Sequence, residues 1–207
     1  MCRHGGNWST RVIEPGLLGK VLWVLGIIAW YIIRYPFQRR AKRTKTVHRM
    51  RSGSEIIGLG SALLGLGILP GLYVATGFPE AAGHPARYWL VIPGGLVFAM
   101  GLATFRWSHK ALGRNWSITL EIREKHRVVC SGPYRFVRHP MYLSFLLMGI
   151  GQAMLLPNWI SGMAGVVGCA VLFFLRINKE ERMMQDGFGP EYAQYMKRTK
   201  RIIPFIY

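Results

Sequence analysis

The run Gly132-Pro133-Tyr134-Arg135-Phe136-Val137-Arg138-His139-Pro140-Met141-Tyr142 and the later run Arg176-Ile177-Asn178-Lys179-Glu180-Glu181 hold the side chains best suited to chemistry. Between them they supply guanidinium groups able to grip a carboxylate through paired hydrogen bonds, an imidazole, phenols and two adjacent carboxylates. Pro133 and Pro140 stiffen the first run, and Pro140 suits the first position of a helix, where its missing N–H costs nothing. Arg138, His139 and Tyr142 are therefore expected at a helix entrance. In the second run Arg176 and Glu180 stand four apart, which makes them neighbours on one helical face. A snorkelling arginine paired with a glutamate would show the same spacing. Against that plain reading, the chain has only nine acidic residues, and two adjacent ones fall here.

The elements that must position these groups are apolar. Spans are expected at 17–33, 55–76, 88–106, 141–156 and 159–177, each near the roughly 20 residues a helix needs to cross the hydrocarbon core. Met141 to Leu156 is the shortest, but Pro157-Asn158 is a natural breaker and Trp159 an interfacial anchor. Residues 141–177 therefore read as a tight helical hairpin that brings both polar runs to one membrane face. The predicted fold class is all-α, a polytopic membrane protein of about five transmembrane helices with its site at the cytosolic ends of the C-terminal helices. Glycines recur inside the spans, among them Gly58, Gly65, Gly94, Gly101, Gly165 and Gly168, and imply close helix packing. Pro70 and Pro93 are expected to bend or weaken their helices locally.

The 207 residues carry 27 Lys and Arg against 9 Asp and Glu, a formal charge of +18. In a soluble protein this would suggest nucleic acid. Here the cations sit in blocks between apolar runs: eight in 34–53, eight in 106–140 and seven in 176–207, or 23 of the 27. Such asymmetry is the signature of topology, and it predicts cytoplasmic placement for those blocks, with the N-terminus outside and the C-terminus inside. The basic segment 34–53 is expected to lie on anionic headgroups rather than bind nucleic acid, since it lacks interleaved aromatics. The first apolar run, without a small-residue cleavage site, reads as a retained span and not as a signal peptide. Cys2, Cys130 and Cys169 offer neither a disulfide framework nor metal-ligand spacing, and no metal is expected. Residues 106–140 form a long connection for so small a membrane protein, which points to function.

The ordered set His126-Arg127-Val128-Val129, Gly132-Pro133-Tyr134, Arg138-His139-Pro140-Met141-Tyr142, Arg176 with Glu180-Glu181, Phe188-Gly189 with Tyr192, and Ile203-Pro204-Phe205 resembles the isoprenylcysteine carboxyl methyltransferase family of membrane enzymes over roughly residues 100–207. The resemblance implies an S-adenosylmethionine-dependent methyltransferase without a Rossmann sheet. It also implies a division into N-terminal transmembrane helices, 1–99, and a C-terminal methyltransferase region, 100–207. Carried over by position, His126, Arg127, Val128, Val129, Tyr134, His139, Pro140, Met141, Tyr142 and Glu180 are cofactor contacts and Arg176 a substrate contact. Arg138 is added on physical grounds as a holder of a carboxylate from cofactor or acceptor. A carboxylate acceptor, ionised at neutral pH, demands no strong base; an amine acceptor would, with His126, His139 or Glu181 as candidates. The expected acceptor is a lipidic or amphipathic acid entering from the bilayer. The alternatives are N-methylation of a phospholipid amine, a sterol-reductase-like oxidoreductase that binds a nicotinamide dinucleotide, and a non-catalytic scaffold.

Overall fold

The structure is a computed structural model, and it describes residues 13–41, 46–49, 53–113, 121–123 and 128–203. Helix α1 runs Pro15–Ala41, α2 Gly53–Leu63, α3 Leu69–Thr76, α4 Tyr88–Leu112, α5 Pro140–Leu155, α6 Trp159–Phe188 and α7 Pro190–Arg198. A π-helical turn, Leu64–Ile68, joins α2 to α3, so Gly53–Thr76 acts as one span of 24 residues. Four helices are thus long and apolar enough to cross a bilayer, and α5 adds a shorter fifth of 16 residues. This is the all-helical, multi-pass architecture expected. One addition is a two-stranded antiparallel ribbon, in which β1, Thr46–Arg49, pairs with β2, Glu121–Arg123, tying the two long connections together.

The helices overrun the predicted spans at their charged ends. Helix α1 continues through Arg34, Arg39 and Arg40, and α6 continues eleven residues past Ile177 to Phe188. Hydropathy marks where lipid ends, whereas the helix stops where the backbone is forced to stop, at Gly189 with φ of +51°.

Apolar side chains cover the outside of the bundle as well as filling its core. Leu17, Leu25, Ile28 and Ile32 of α1 are exposed, as befits a face toward lipid tails, while small and polar residues line the helix contacts. Where α2 and the π turn pass α6, a Cβ at Gly168 would lie 2.3 Å from the Ser61 carbonyl oxygen, and one at Gly65 would lie 2.1 Å from that of Ala164. Only glycine permits this approach. Helix α5 is the most enclosed element, packed between α4 and α6 with Ser144, Met148, Gly151, Gln152 and Leu155 buried.

Pro70 leaves an open acceptor in the π-helical turn. In a π turn the carbonyl of Gly65 would accept from the N–H five residues on, and Pro70 has none. Gln152 fills the vacancy: its Nε2 donates to the Gly65 carbonyl at 2.9 Å and to the Ser161 carbonyl at 2.8 Å, and its Oε1 accepts from Trp23 Nε1 at 3.1 Å. One buried amide thereby ties α1, the π turn, α5 and α6 together in the bilayer interior. At Pro93, by contrast, α4 runs on as helix through the proline, from Tyr88 to Leu112.

The hairpin turns where predicted. Helix α5 ends at Leu155 and α6 begins at Trp159, with Asn158 as its cap, Oδ1 accepting from the Ser161 N–H at 2.9 Å. At the opposite end of the bundle, a 3-10 turn, Gly132–Arg135, leads into α5. The segment after α7 then returns beside it: the Arg138 N–H donates to the Lys200 carbonyl at 2.7 Å and the His139 N–H to the Arg201 carbonyl at 2.9 Å. The backbone that presents Arg138 and His139 is therefore held from both sides before α5 starts.

Candidate active site

Three segments converge at this end: residues 134–142, the extension of α6 beyond Ile177, and residues 199–201. Glu181 is their centre and is 4 % exposed. Its Oε1 accepts from Arg138 Nε at 3.0 Å and lies 3.0 Å from Arg138 Nη2 and 3.2 Å from His139 Nε2. Its Oε2 accepts from Arg201 Nη2 at 2.8 Å and Nε at 3.2 Å. Arg138 Nη1 donates onward to the carbonyls of Met196 and Thr199. Burial alone would push the Glu181 carboxyl up, but hydrogen bonds from His139 and Arg201 and the charge of Arg138 outweigh it and hold the group at about 2.

Glu180, one residue earlier, faces a different neighbourhood. It accepts from the Tyr142 hydroxyl at 2.8 Å, lies 3.9 Å from His139 Nδ1 and 3.8 Å from Arg176 Nε, and keeps 29 % of its side chain exposed. The ring of Tyr142 stands edge-on to His139 at 5.7 Å and to Phe173 at 5.5 Å. Arg176 is buried and also meets Glu55 of α2, Nη1 to Oε1 at 3.9 Å. On the same helix faces Lys179 Nζ donates to Ser54. Tyr134 is buried, and its carbonyl accepts from the Tyr195 hydroxyl at 2.6 Å. Burial, then the nearby Glu180 carboxylate, pushes the Tyr134 phenol well above its ordinary value, so it stays neutral.

Residues 91–186 match the model of the isoprenylcysteine carboxyl methyltransferase (ICMT) family, a stretch that runs from α4 through Arg138, His139, Arg176 and Glu181. A probable protein-S-isoprenylcysteine O-methyltransferase of Oryza sativa is 30% identical over 179 residues, 85% of this chain and 88% of the rice protein. The chain belongs to the ICMT family. Protein-S-isoprenylcysteine O-methyltransferase B of Arabidopsis thaliana is 30% identical over 131 residues, 62% of this chain and 65% of that protein. The human protein-S-isoprenylcysteine O-methyltransferase is 31% identical over 120 residues, 57% of this chain and 42% of its own length. A solved structure of the eukaryotic intramembrane Ras methyltransferase ICMT superposes with a TM-score of 0.58 over 95% of this chain and 70% of that one. At 23% identity that likeness establishes the fold. The protein is a multi-pass membrane methyltransferase of the ICMT type, and ICMT methyltransferases use S-adenosylmethionine.

The donor set suits such a cofactor. Glu180 offers a partly exposed carboxylate beside two aromatic rings, a combination that accepts hydrogen bonds from a ribose and favours a sulfonium cation. Of the residues expected to serve, Arg138, His139, Pro140, Met141, Tyr142, Arg176, Glu180, Glu181 and Tyr134 gather at one end of the bundle. Val128 and Val129 are half-buried on the segment that leads in, and His126 and Arg127 lie outside the described residues. Two further members were missed. Arg201 escapes any local pattern, because it reaches Glu181 across twenty residues and a helix. Glu55 carried a readable sign, an acidic residue at the mouth of an apolar span, which by default marks a site.

Proposed function

We propose that this protein transfers a methyl group to the carboxylate of an isoprenylcysteine-like or otherwise amphipathic acid that reaches the site laterally from the bilayer. The observation that carries the reading is the pairing of the buried Arg176 guanidinium with the half-open Glu180, side by side at the end of α6. S-adenosylmethionine supplies a methyl already activated on a sulfonium, so an ionised carboxylate needs alignment and exclusion of water rather than a base. Glu180, oriented by the Tyr142 hydroxyl, takes the cofactor side, together with His139, Pro140, Met141, Tyr134 and the 126–129 segment. Arg176 takes the acceptor side and aims its carboxylate. Arg138 and Glu181 act on each other: with their polar atoms engaged among Arg201, His139 and two backbone carbonyls, they position the entrance of α5 rather than touch the reacting groups.

This end of the bundle faces the cytosol in the proposed topology, with the N-terminus opposite, on the strength of the 23 of 27 cations that fall in the sequence blocks 34–53, 106–140 and 176–207. The division of labour between residues 1–99 and 100–207 belongs to the same proposal. The test is transfer of radiolabelled methyl from S-adenosylmethionine in a membrane extract, followed by mild base. Release of the label as methanol identifies an ester. Base-stable label would shift the reading to amine methylation.

A further inference from the structure

Helix α4 carries an exposed apolar stripe along one face, made by Trp89, Ile92, Leu96, Met100 and Trp107. At about 1.5 Å per residue its two tryptophans stand about 27 Å apart, close to the roughly 30 Å of a hydrocarbon core. Tryptophan favours the headgroup level, so Trp107 marks where lipid tails end on the side of the candidate active site. The residues that gather around Trp107 are cationic. Arg106 and Lys110 are exposed at the same end of α4, four apart and therefore neighbours. The turn before α5 adds Arg135 and Phe136, both exposed. The Phe136 ring stands edge-on to Trp107 at 6.4 Å, and the Arg135 guanidinium lies over the Phe136 ring at 4.4 Å. Among the described residues, none of these three cations has an acidic partner at ion-pair distance.

The two halves of the cluster are fixed to each other. Gly132, with φ of +62°, brings the turn so close to α4 that a Cβ there would lie 3.2 Å from Trp107 Nε1 and 3.2 Å from the Ala111 Cβ. The geometry points to a seat for the headgroup phosphate of an anionic phospholipid, formed by the end of α4 and the turn Gly132 to Phe136. The acyl chains lie along the stripe, the two rings take the interfacial level, and Arg106, Lys110 and Arg135 meet the phosphate. Stacking occupies the face of the Arg135 guanidinium and leaves the N–H groups at its rim for an oxyanion. The occupant is a lipid because the cations continue an apolar stripe of bilayer length, which a soluble anion would leave unused. A phosphate held there tethers the turn three residues before Arg138 to the membrane surface, without touching the reacting groups. Nothing in this depends on which acceptor is methylated.

The test titrates dioleoyl phosphatidylglycerol and dioleoyl phosphatidylcholine into the full-length protein in neutral detergent and reads bound lipid by native mass spectrometry. Wild type should prefer phosphatidylglycerol. Lys110→Gln combined with Arg135→Gln removes two charges and should weaken phosphatidylglycerol on the order of tenfold, with phosphatidylcholine unmoved. Lys197→Gln combined with Arg198→Gln takes the same charge from the exposed face of α7 and should shift neither lipid by more than about twofold. Lys110→Arg combined with Arg135→Lys keeps both charges and should stay within about threefold of wild type. Equal losses in the two Gln pairs would reduce the effect to the diffuse attraction of a basic chain and overturn the seat. So would undiminished binding in the first pair, equal wild-type affinity for the two lipids, or a charge-conserving pair as weak as the Gln pair, which would mark damage to the turn.

Discussion

The two ends of this helix bundle are closed by different chemistry. At one end the α5–α6 turn is neutral: Asn158, 1 % exposed, caps α6 with its oxygen and donates Nδ2 to the Pro79 carbonyl at 2.7 Å, while the His84 N–H meets the Pro157 carbonyl. At the other end the same two helices are closed by charge, with Glu181 bound by Arg138, His139 and Arg201 and with Arg176 set between Glu55 and Glu180. A neutral amide satisfies backbone groups and asks nothing further of its surroundings. Buried charge is expensive unless paired, so an end built from it carries positions that respond strongly when one member changes. The neutral end holds the bundle shut, and the charged end holds it poised.

The largest break in this contrast should come from Glu181→Gln. It leaves Arg138 and Arg201 without their shared counter-charge, and stability should fall by about 3–5 kcal/mol, read as a lowered unfolding midpoint in detergent. Acid should reproduce part of this. Because the folded carboxyl sits at about 2 against an ordinary 4.5, its contribution is full above pH 4.5 and is lost as pH falls toward 2. A wild-type unfolding midpoint flat across that window, or a Glu181→Gln variant as stable as wild type, would show that the knot is not held by charge.

Glu180→Gln should fail differently. Its side chain is 29 % exposed and has a phenol as its nearest donor, so stability should change little, while S-adenosylmethionine affinity falls by about 1.5–3 kcal/mol, the range of a charge-assisted hydrogen bond. Calorimetric titration in nanodiscs reads this. Wild-type affinity in the variant would remove Glu180 from the cofactor side. Arg176→Lys, which keeps charge but loses the planar fork, should lower turnover or raise the acceptor Michaelis constant with cofactor binding intact. A loss of cofactor affinity instead would place Arg176 on the wrong substrate.

The smallest effect is expected at the neutral end. Asn158→Ala should cost about 1 kcal/mol through the lost cap, with methyl transfer unchanged in the folded fraction. A drop in specific activity would mean that the two ends communicate.

Much of this was legible because it is local. Pro140 opening a helix, Pro157-Asn158 turning a hairpin, and Arg176 and Glu180 sharing a face each follow from a few adjacent residues, and hydropathy located the four long apolar helices and the shorter α5. What escaped depends on tertiary contact. Pro70 announced a disturbed helix, but not that Gln152, eighty-two residues later, would accept the consequence as a hydrogen-bond donor to Gly65. Arg138 looked like a free claw for a ligand's carboxylate, and only the folded chain shows its fork turned on Glu181. Hydropathy also ended the helices too early, since a helix of charged residues in water is invisible to it.

The clasp made by residues 199–201 sets what a shortened chain would lose. The segment that lies beside Val137 also supplies Arg201 and the two carbonyls that receive the Arg138 and His139 N–H groups. A chain stopped after Thr199 would keep α5, α6 and the contact of Glu181 with Arg138, but neither the outer arginine nor the backbone rail beside Arg138 and His139. Such a chain would still be a helix bundle, with the entrance to α5 tied from one side only.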